Sequence, residues 1–475
     1  MKVLHVITGL DMGGAEQQLR LLLRRLPAQC EVVTLTGPGP VADGIEADGT
    51  PVTHLGMTGD RDLTVLPRLS ALIRAGGYDL VHTHLYRACV YGRIAARMAG
   101  VRAVVATEHS LGDAVIEGRR LTRGVRALYR ATERLGAATV AVSDTVAARL
   151  LRWGVPERRV HVVHSGIEAH RFGFDPAARA LVRTRLGLPL DAFVVGGAGR
   201  LVPGKRFDVL VRAVTQLPGV HLLLAGEGPE RETLRRTAEQ FGSGDRIHLL
   251  GAVGDASGVS AAPPGAVGDA SGVSAAPPGA VGDASGVSAA PPGAVGDASR
   301  VSAAPPGAVR YAAGVQAASA GAAPPSATPG CRPDIPGLLS ALDVFVSPSP
   351  DEAFGLAVVE ALASGLQVLY GSCPAVEDLP ADQAPGARRF SPGVHELGTA
   401  LRELRRNEPG RLPVPPVVRR YDIARSAEAL MSVYEQAVAT AAPPRWRRPV
   451  PAHPSAVVPL PDAPRSPAPS PLSNR

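Results

Sequence analysis

Short apolar runs alternate with segments of helical periodicity over most of the chain. The first run, Lys2–Ile7, leads into a glycine-rich loop, Thr8–Gly14, and then into Ala15–Leu26, where leucine recurs at helical spacing. The other strand-like runs of the first half are Glu31–Leu35, Asp79–His82, Ala103–Ala106, Thr139–Val142 and Val160–Val163. Strands that alternate with helices in this way predict a parallel sheet covered by helices.

A second series of the same kind begins at Phe193–Ala198. Its remaining strand-like runs are Val220–Ala225, Arg246–Leu250, Asp343–Ser347 and Gln367–Leu369. Its helical patterns lie at Asp208–Gln216, Glu230–Gln240 and Leu356–Ala363. The chain is therefore predicted to be an α/β protein with two units in tandem, joined near His170–Leu190. Because ligands of such units bind at the carboxyl ends of the strands, we expect a binding cleft between the two units.

The second series is interrupted by an internal repeat. From Gly251 to Pro306 a unit of 14 residues, GAVGDASGVSAAPP, occurs four times, with Arg300 in place of glycine in the fourth copy, and alanine- and proline-rich sequence continues to about Gly330. With two valines as its larger apolar side chains, a unit offers too little apolar area to offset the entropy of ordering it. We expect a disordered insertion over residues 251–330; a solenoid is the alternative, because a fixed period is typical of one. The proline-rich tail, residues 443–475, is predicted to be disordered as well.

Composition and charge narrow the classes of function. The 475 residues include 50 Lys and Arg against 43 Asp and Glu, a net charge of +7, of which the tail supplies +4. With 4% aromatic residues and little net charge elsewhere, the chain is not expected to bind nucleic acid. Four widely spaced cysteines without a CxxC pair argue against a zinc site and a disulfide scaffold. Because neither a signal peptide nor an apolar run of about 18 residues is visible, we expect a soluble protein of the cytoplasm.

The segment Gly199–Lys205 (GRLVPGK) joins a predicted strand to a predicted helix. Lys205 is one of only two lysines in a chain that otherwise uses arginine for positive charge. Arg200 offers a planar fork of donors and Lys205 a compact charge, and the start of the following helix adds its dipole. The loop is therefore predicted to bind a diphosphate; two ordinary solvated cations are the alternative.

A second candidate site follows the predicted strand Asp343–Ser347. A helix is expected to begin near Phe354 and to end at Gly365, which places Glu360 among Ala, Val and Leu side chains and predicts that its carboxylate is buried. A buried carboxylate needs donors, and sugar hydroxyls are suitable ones. Glu352, in the loop before this helix, would bind the other end of the same ligand. The alternative is a structural Glu360 paired with a core arginine and a Glu352 that only stabilises the helix start.

Three further features are weaker indications of a binding site. Gly13 and Gly14 open the first helix and permit close approach of a ligand, although a tight turn would also use them. His109 follows the strand Ala103–Ala106, where an imidazole either binds a ligand, moves a proton or simply packs. His82 and His84 share the end of another strand; a metal pair is conceivable there, but without a third ligand at convincing spacing we expect structural roles.

The segment Glu117–Leu135 is predicted to be a basic amphipathic helix. Its five arginines, spaced three or four residues apart, would form one stripe, and Leu121, Val125, Leu128 and Leu135 would form another; the arginines are Arg119, Arg123, Arg126, Arg130 and Arg134. Such a helix suits peripheral contact with an anionic membrane or guidance of an anionic acceptor, and a solvated helix face is the alternative.

Taken together, these segments resemble the GT-B-fold retaining glycosyltransferases of family 4 (glycosyl transferases group 1), which use nucleotide sugars. The segments that carry the resemblance are His5–Gln18, the His109 motif, His164–Glu168 (HSGIE), Gly199–Lys205, Ala225–Pro229 (AGEGP) and the E-x7-E element Glu352–Glu360. The resemblance covers about residues 1–250 and 333–440. It implies two Rossmann-like domains facing a cleft, with an acceptor-side domain at 1–175 and a donor-binding domain at 176–420. A helix over 421–442 would pack back on the first domain.

The resemblance also implies roles for individual residues. Arg200 and Lys205 would bind the donor diphosphate without a divalent metal or other cofactor, and Glu360 would bind the nucleotide ribose. Glu352 and His109 would contact the transferred sugar as catalytic residues. The other implied donor-binding residues are Gly13, Gly14, Phe354, Gly355 and Leu356. The expected partners are a nucleotide-sugar donor and a lipid-linked, polysaccharide or other glycan acceptor.

The chain departs from the family pattern at three places, one of which is Tyr370–Pro374 (YGSCP), where many relatives have a longer glycine-rich turn. The repeat splits the donor domain where the family has a short loop that often helps to bind the base, and Arg206 follows Lys205 where glycine is commoner. Two other interpretations therefore stay open: a sugar-nucleotide 2-epimerase, which shares the architecture, and a non-catalytic protein of the same fold. Intact Arg200, Lys205, Glu352 and Glu360 favour the transferase.

Overall fold

The structure is a computed structural model, and it describes residues 1–112, 115–116, 119–253, 334–391 and 393–441. Apart from its first three residues, the predicted repeat insertion lies outside the described residues, and so does the predicted tail at 443–475. The described part forms two α/β lobes.

The first lobe is built on a seven-stranded parallel sheet. In spatial order its strands are β3 (Val52–His54), β2 (Gln29–Thr34), β1 (Lys2–Ile7), β4 (Leu80–His84), β5 (Val104–Glu108), β8 (Ala138–Ala141) and β9 (Val160–Val162). Its helices are α1 (Gly14–Leu23), α2 (Pro40–Ala47), α3 (Val65–Gly76), α4 (Tyr86–Ala99), α5 (Arg123–Glu133) and α6 (Asp144–Trp153). The strand order reverses between β1 and β4, and such a switch point opens a crevice at the carboxyl edge of the sheet.

The second lobe has a six-stranded parallel sheet. In spatial order its strands are β12 (Ile247–Gly251), β11 (Val220–Ala225), β10 (Phe193–Ala198), β13 (Val344–Ser347), β14 (Gln367–Tyr370) and β15 (Ala387–Arg389). Its helices are α7 (Pro176–Arg185), α8 (Phe207–Thr215), α9 (Arg231–Gln240), α10 (Ile335–Ala341), α11 (Leu356–Ala363), α12 (Pro374–Glu377), α13 (Val394–Arg406) and α14 (Pro416–Arg420). Here the order reverses between β10 and β13, so the loops after these two strands lie side by side.

The chain returns to the first lobe through one long helix, α15 (Ile423–Thr440). Its apolar face, including Leu430 and Tyr434, is buried against Val3 of β1 and Leu80 of β4. The close approach of its first turn depends on Gly166, because a Cβ at that position would lie 2.6 Å from the Cα of Ile423. No helix in the described ranges combines the length and the apolar character that crossing a bilayer requires.

The predicted basic helix is shorter than expected. Val115–Ile116 (β6) and Arg119–Arg120 (β7) form a small antiparallel hairpin, and α5 begins only at Arg123, where the Thr122 side chain caps it. Arg119 therefore belongs to a strand, and the prediction of five arginines on one helix is wrong. Leu128 of the predicted apolar stripe is exposed, whereas Tyr129 is the residue that packs inward. Membrane contact through this segment stays a prediction.

Candidate active site

The two candidate loops of the second lobe meet because they follow neighbouring strands. The loop after β10 carries Lys205 and the loop after β13 carries Glu352, and the Lys205 Nζ donates to the Glu352 Oε1 at 2.5 Å. The side chains are partly shielded, 32% and 14% exposed, respectively. Ser349 Oγ donates to the carbonyl of Gly204 at 3.4 Å and joins the two loops a second time. The lysine and the acid that the sequence placed in separate motifs therefore form one ion pair.

Arg200 lies at the start of the same lysine-bearing loop and is exposed. Its loop begins at Gly199, whose φ of +149° suits glycine, and a Cβ at Gly226 on the next loop would overlap the Gly199 carbonyl oxygen. Close backbone packing thus fixes the exit of β10. The structure places Arg200 and Lys205 on one loop, as the sequence predicts.

Two helix N-termini converge on this region from opposite lobes. Gly14 is the first residue of α1, and a Cβ there would lie 3.6 Å from the Cδ1 of Leu356, the first residue of α11. Gly355, at the N-cap of α11, has a φ of +105° and would clash with Cys373 if it carried a Cβ. Helix N-termini present free N–H groups and a positive dipole end. This part of the cleft is therefore suited to an anionic ligand.

Glu360 is placed differently from the expectation. The helix begins at Leu356 rather than near Phe354, and Glu360 is partly exposed rather than buried. Nothing in the sequence indicated this, because every residue of α11 other than Glu360 is apolar and no polar face can be recognised. In the structure Val358 and Val359 are buried in the core, whereas Leu356 and Glu360, one turn apart, share the partly exposed face. Since Leu356 faces Gly14, that face borders the cleft, and Glu360 lies on it.

His109 directly follows β5 on the first lobe and is half-buried. Its Nε2 lies 3.1 Å from the Nδ1 of His84, and burial lowers the pKa of His109 to about 4. The ring lines a small hollow beside Gln18, His164 and Ser165. His109 is thus neutral at physiological pH and borders the cleft side of the first sheet.

His82 and His84 have a third histidine beside them. His5 of β1 is in register with His82 of β4, and ring nitrogens of the three lie within 4.8 Å of one another, all fully buried. Both nitrogens of His82 are already bonded, Nδ1 with the Tyr434 hydroxyl at 2.6 Å and Nε2 with the Thr107 hydroxyl at 2.7 Å. The three rings are therefore all hydrogen-bonded, and both nitrogens of His82 are engaged.

Glu16 was missed by the sequence reasoning. It lies in the first turn of α1, its carboxylate folds over Gly13, and a Cβ at Gly13 would overlap it. Burial raises the pKa of Glu16 to about 7, an effect that the positive charge of Arg200 opposes and the negative charge of Asp11 reinforces. This coupling places a first-lobe acid within electrostatic reach of Arg200. The sequence Gly-Gly-Ala-Glu could have indicated this residue, because it places a glutamate in the first turn of the predicted helix.

Contacts between the lobes fix the loop that carries Glu352. Asp351 accepts from Arg149 of α6 at 2.7 Å, and the carbonyl of Ala353 accepts from Ser143 Oγ at 2.7 Å. Glu352 is therefore flanked on both sides by residues bound to the first lobe. The Thr145 hydroxyl, which donates to Asp378 at 2.8 Å, adds a third polar contact between the lobes.

Two parallel-sheet lobes, each with a switch point at the cleft, and a C-terminal helix that returns to the first lobe define a protein of the GT-B type. Solved structures with the same fold include HepE of Anabaena in complex with UDP and glucose, with a TM-score of 0.67 and 18% identity over 92% of this chain and 99% of that one. Sucrose-phosphate synthase of Thermosynechococcus elongatus has a TM-score of 0.62 and 17% identity over 93% of this chain and 100% of its own. The two-domain α/β fold expected from the sequence is thereby confirmed.

Family comparisons identify the chain more closely. Residues 12–171 match Glycosyltransferase Family 4, and residues 179–258 and 307–407 match Glycosyl transferases group 1. The chain belongs to this family of GT-B glycosyltransferases, as its motifs indicated.

The curated proteins to which the chain is similar include named glycosyltransferases. D-inositol 3-phosphate glycosyltransferase 1 of Catenulispora acidiphila is 32% identical over 275 residues, which are 51% of this chain and 64% of the relative. D-inositol 3-phosphate glycosyltransferase of Mycolicibacterium smegmatis is 32% identical over 197 residues, 38% of this chain and 44% of the relative. In both cases the matched region spans less than two thirds of the relative's own length.

Proposed function

We propose that this protein is a retaining glycosyltransferase that moves a sugar from a nucleotide-diphosphate sugar to a hydroxyl of a glycan, lipid-linked or polyol-type acceptor. The observation that carries the proposal is the pairing of Lys205 with Glu352 beside two facing helix N-termini. The family match supports it, and so does the fold shared with HepE, whose structures contain UDP, UDP-glucose and glucose. The names of the curated relatives favour an inositol phosphate among the acceptors to be tested.

The proposed chemistry follows from charge. Cleavage of the sugar–phosphate bond builds negative charge on the departing diphosphate, and Arg200, Lys205 and the N-termini of α1 and α11 would stabilise it. Lys205 has three N–H donors, so it can keep Glu352 while it binds a phosphate oxygen. These fixed positive groups would do the work without a divalent metal.

Glu352 and Glu360 would act on the uncharged parts of the donor. Each carboxylate accepts hydrogen bonds from hydroxyls, Glu352 from the transferred sugar and Glu360 from the nucleotide ribose. Retention would follow from attack on the same face of the sugar as the leaving group, with the diphosphate accepting the proton of the acceptor.

A panel of UDP-, GDP- and ADP-sugars tests the proposal. We expect one base series to raise the melting temperature and to be hydrolysed slowly without acceptor. Glu352→Gln should keep the stabilisation by UDP and lose turnover, because it removes a charge near the reacting carbon and leaves the diphosphate contacts. If no nucleotide sugar stabilises the protein, or if an epimerised nucleotide sugar accumulates without acceptor, the proposal is wrong.

The raised pKa of Glu16 predicts a pH dependence of donor binding. Below about pH 7 the Glu16 carboxyl is neutral, and above it the carboxylate carries a negative charge near Arg200. That charge repels the diphosphate, so the affinity for UDP-glucose should fall about 5-fold as the pH rises through 7. Calorimetry at several pH values measures it.

Glu16→Gln is the matched control for this dependence. It keeps the size and hydrogen-bonding capacity of the side chain but cannot ionise, so its affinity should be flat across the same pH range. A wild-type affinity that does not change with pH would contradict the position assigned to Glu16.

A further inference from the structure

A chain of three histidines leads from the core of the first lobe to its cleft edge. His5 Nδ1 lies 3.1 Å from His84 Nε2, and His84 Nδ1 lies 3.1 Å from His109 Nε2. His5 and His84 are fully buried, and His109 is partly exposed. The rings of each bonded pair are nearly parallel, with interplanar angles of 18° and 29°. His5 and His84 lie on the paired strands β1 and β4, and His109 directly follows the next strand, β5, so this row of histidines runs across the sheet.

Only two arrangements of protons satisfy this chain when all three rings are neutral. In the first, every ring carries its proton on Nδ1, so His5 donates to His84 and His84 donates to His109. In the second, every ring carries its proton on Nε2, and both hydrogen bonds run in the opposite direction. A neutral ring has one donor and one acceptor, so mixed arrangements would place two donors or two acceptors face to face.

The buried end of the chain decides between the two arrangements. His5 Nε2 is buried and has no hydrogen-bond partner within the part of the chain that the structure describes. In the second arrangement it would be an unsatisfied N–H in the core, whereas in the first it is a lone pair. Buried N–H groups without a partner are rarer than under-satisfied acceptors, because the donor loses its one bond to water outright. The first arrangement is therefore favoured.

From this we infer that His5 and His84 are positioning residues that hold His109 as its Nδ1–H tautomer, so that His109 donates a hydrogen bond to an oxygen of the bound sugar. The Nε2 lone pair of His109 is occupied by the His84 N–H, and its Nδ1 carries the proton, so the ring has no free lone pair on the cleft side. His109 acts as a donor and not as a general base. This inference rests on the proposed function only for the identity of the oxygen that His109 contacts.

The three histidines are neutral because burial lowers their pKa values. Burial lowers the pKa of His5 to about 3 and holds the pKa of His84 well below its usual range, with the neighbouring histidines reinforcing the effect on His84. No fourth titratable group is needed to set the direction of the hydrogen bonds. The network of His82 with Thr107 and Tyr434 runs beside the chain and uses other atoms.

The tautomers can be read directly by NMR. In full-length protein labelled with 15N-histidine, long-range proton–nitrogen spectra at neutral pH distinguish Nδ1–H from Nε2–H rings, and single substitutions assign the signals. We expect Nδ1–H for His5, His84 and His109 without any ligand. Nε2–H at His109 would overturn the inference, whether or not nucleotide sugars bind; failure of every nucleotide sugar to bind, with the Nδ1–H pattern intact, would instead refute the proposed function.

Variants at His84 separate positioning from packing. His84→Leu removes the donor, so the Nδ1–H preference of His109 should be lost and kcat/KM for the nucleotide sugar should fall about 10-fold, with the affinity for UDP unchanged. His84→Asn places an N–H near the former Nδ1 and should restore both readouts. His395→Leu, at an exposed histidine of α13, is the matched control. An unchanged His109 tautomer in His84→Leu would contradict the positioning role.

Discussion

Lys205→Ala is expected to lower kcat/KM for the nucleotide sugar by about 100- to 1000-fold, the loss that follows when a single preorganised donor to a developing anion is removed. Lys205 is held at the cleft by its bond to Glu352, so its ammonium does not have to be ordered when the donor arrives. Both the affinity for UDP and the turnover should suffer, because the charge contacts the diphosphate in the ground state and in the transition state. Steady-state kinetics with calorimetry of UDP binding measure both.

The other lysine of the chain supplies the control. Lys2 begins β1 at the amino edge of the first sheet, opposite the cleft, and its Nζ pairs with Glu31 at 2.8 Å. Lys2→Ala removes the same charge and should leave UDP binding unchanged. Equal effects of the two substitutions, or unaltered UDP binding in Lys205→Ala, would refute the diphosphate role of Lys205.

Much of the fold could be predicted from the sequence because buried parallel strands are continuous apolar runs. Lys2–Ile7, Phe193–Ala198 and Val220–Ala225 were predicted with the bounds that the structure has. The edge strands β3 (VTH) and β15 (ARR) were not predicted, because neither is an apolar run; β9, which is just as short, was predicted because it lies in the valine-rich run Val160–Val163. The hairpin of β6 and β7 was not predicted for another reason. Arg119 of this hairpin continues the three- or four-residue spacing of the arginines in α5, and spacing alone cannot show where a helix begins.

The candidate site could be predicted where its residues lie together in one loop of the sequence. It could not be predicted where residues far apart in sequence meet only because their strands are neighbours in the sheet. Gly199–Lys205 could be interpreted from its own residues. His5 and His82 are far apart in sequence, and they meet because β4 pairs with β1, which local patterns do not reveal. Glu16 and Arg200 come from different lobes. The exposure of Glu360 depended on which face of an apolar helix turns to the core, and that was decided by packing.

The segment between the two units also has a role that local sequence patterns did not reveal. Residues near His170–Leu190 were expected only to join the two units, yet they include α7, which packs on the second lobe. Asp343, just before β13, joins α7 to the sheet. Its carboxylate accepts from Arg179 at 2.7 Å, from Arg183 at 2.9 Å and from the backbone N–H of Val194 at 2.7 Å. Arg183 is fully buried, so its charge depends on this partner.

Asp343→Ala should therefore lower the free energy of unfolding by about 3–5 kcal/mol, because it leaves a buried guanidinium without its counter-charge. The carbonyls that Arg183 also contacts cannot replace a negative charge. Urea unfolding followed by circular dichroism measures the loss. Glu232→Ala is the matched control: Glu232 also accepts from two arginines, Arg235 and Arg236, but at the surface, where such pairs contribute little. If both variants unfold at the same urea concentration, Asp343 does not hold α7 to the second sheet in the way its contacts indicate.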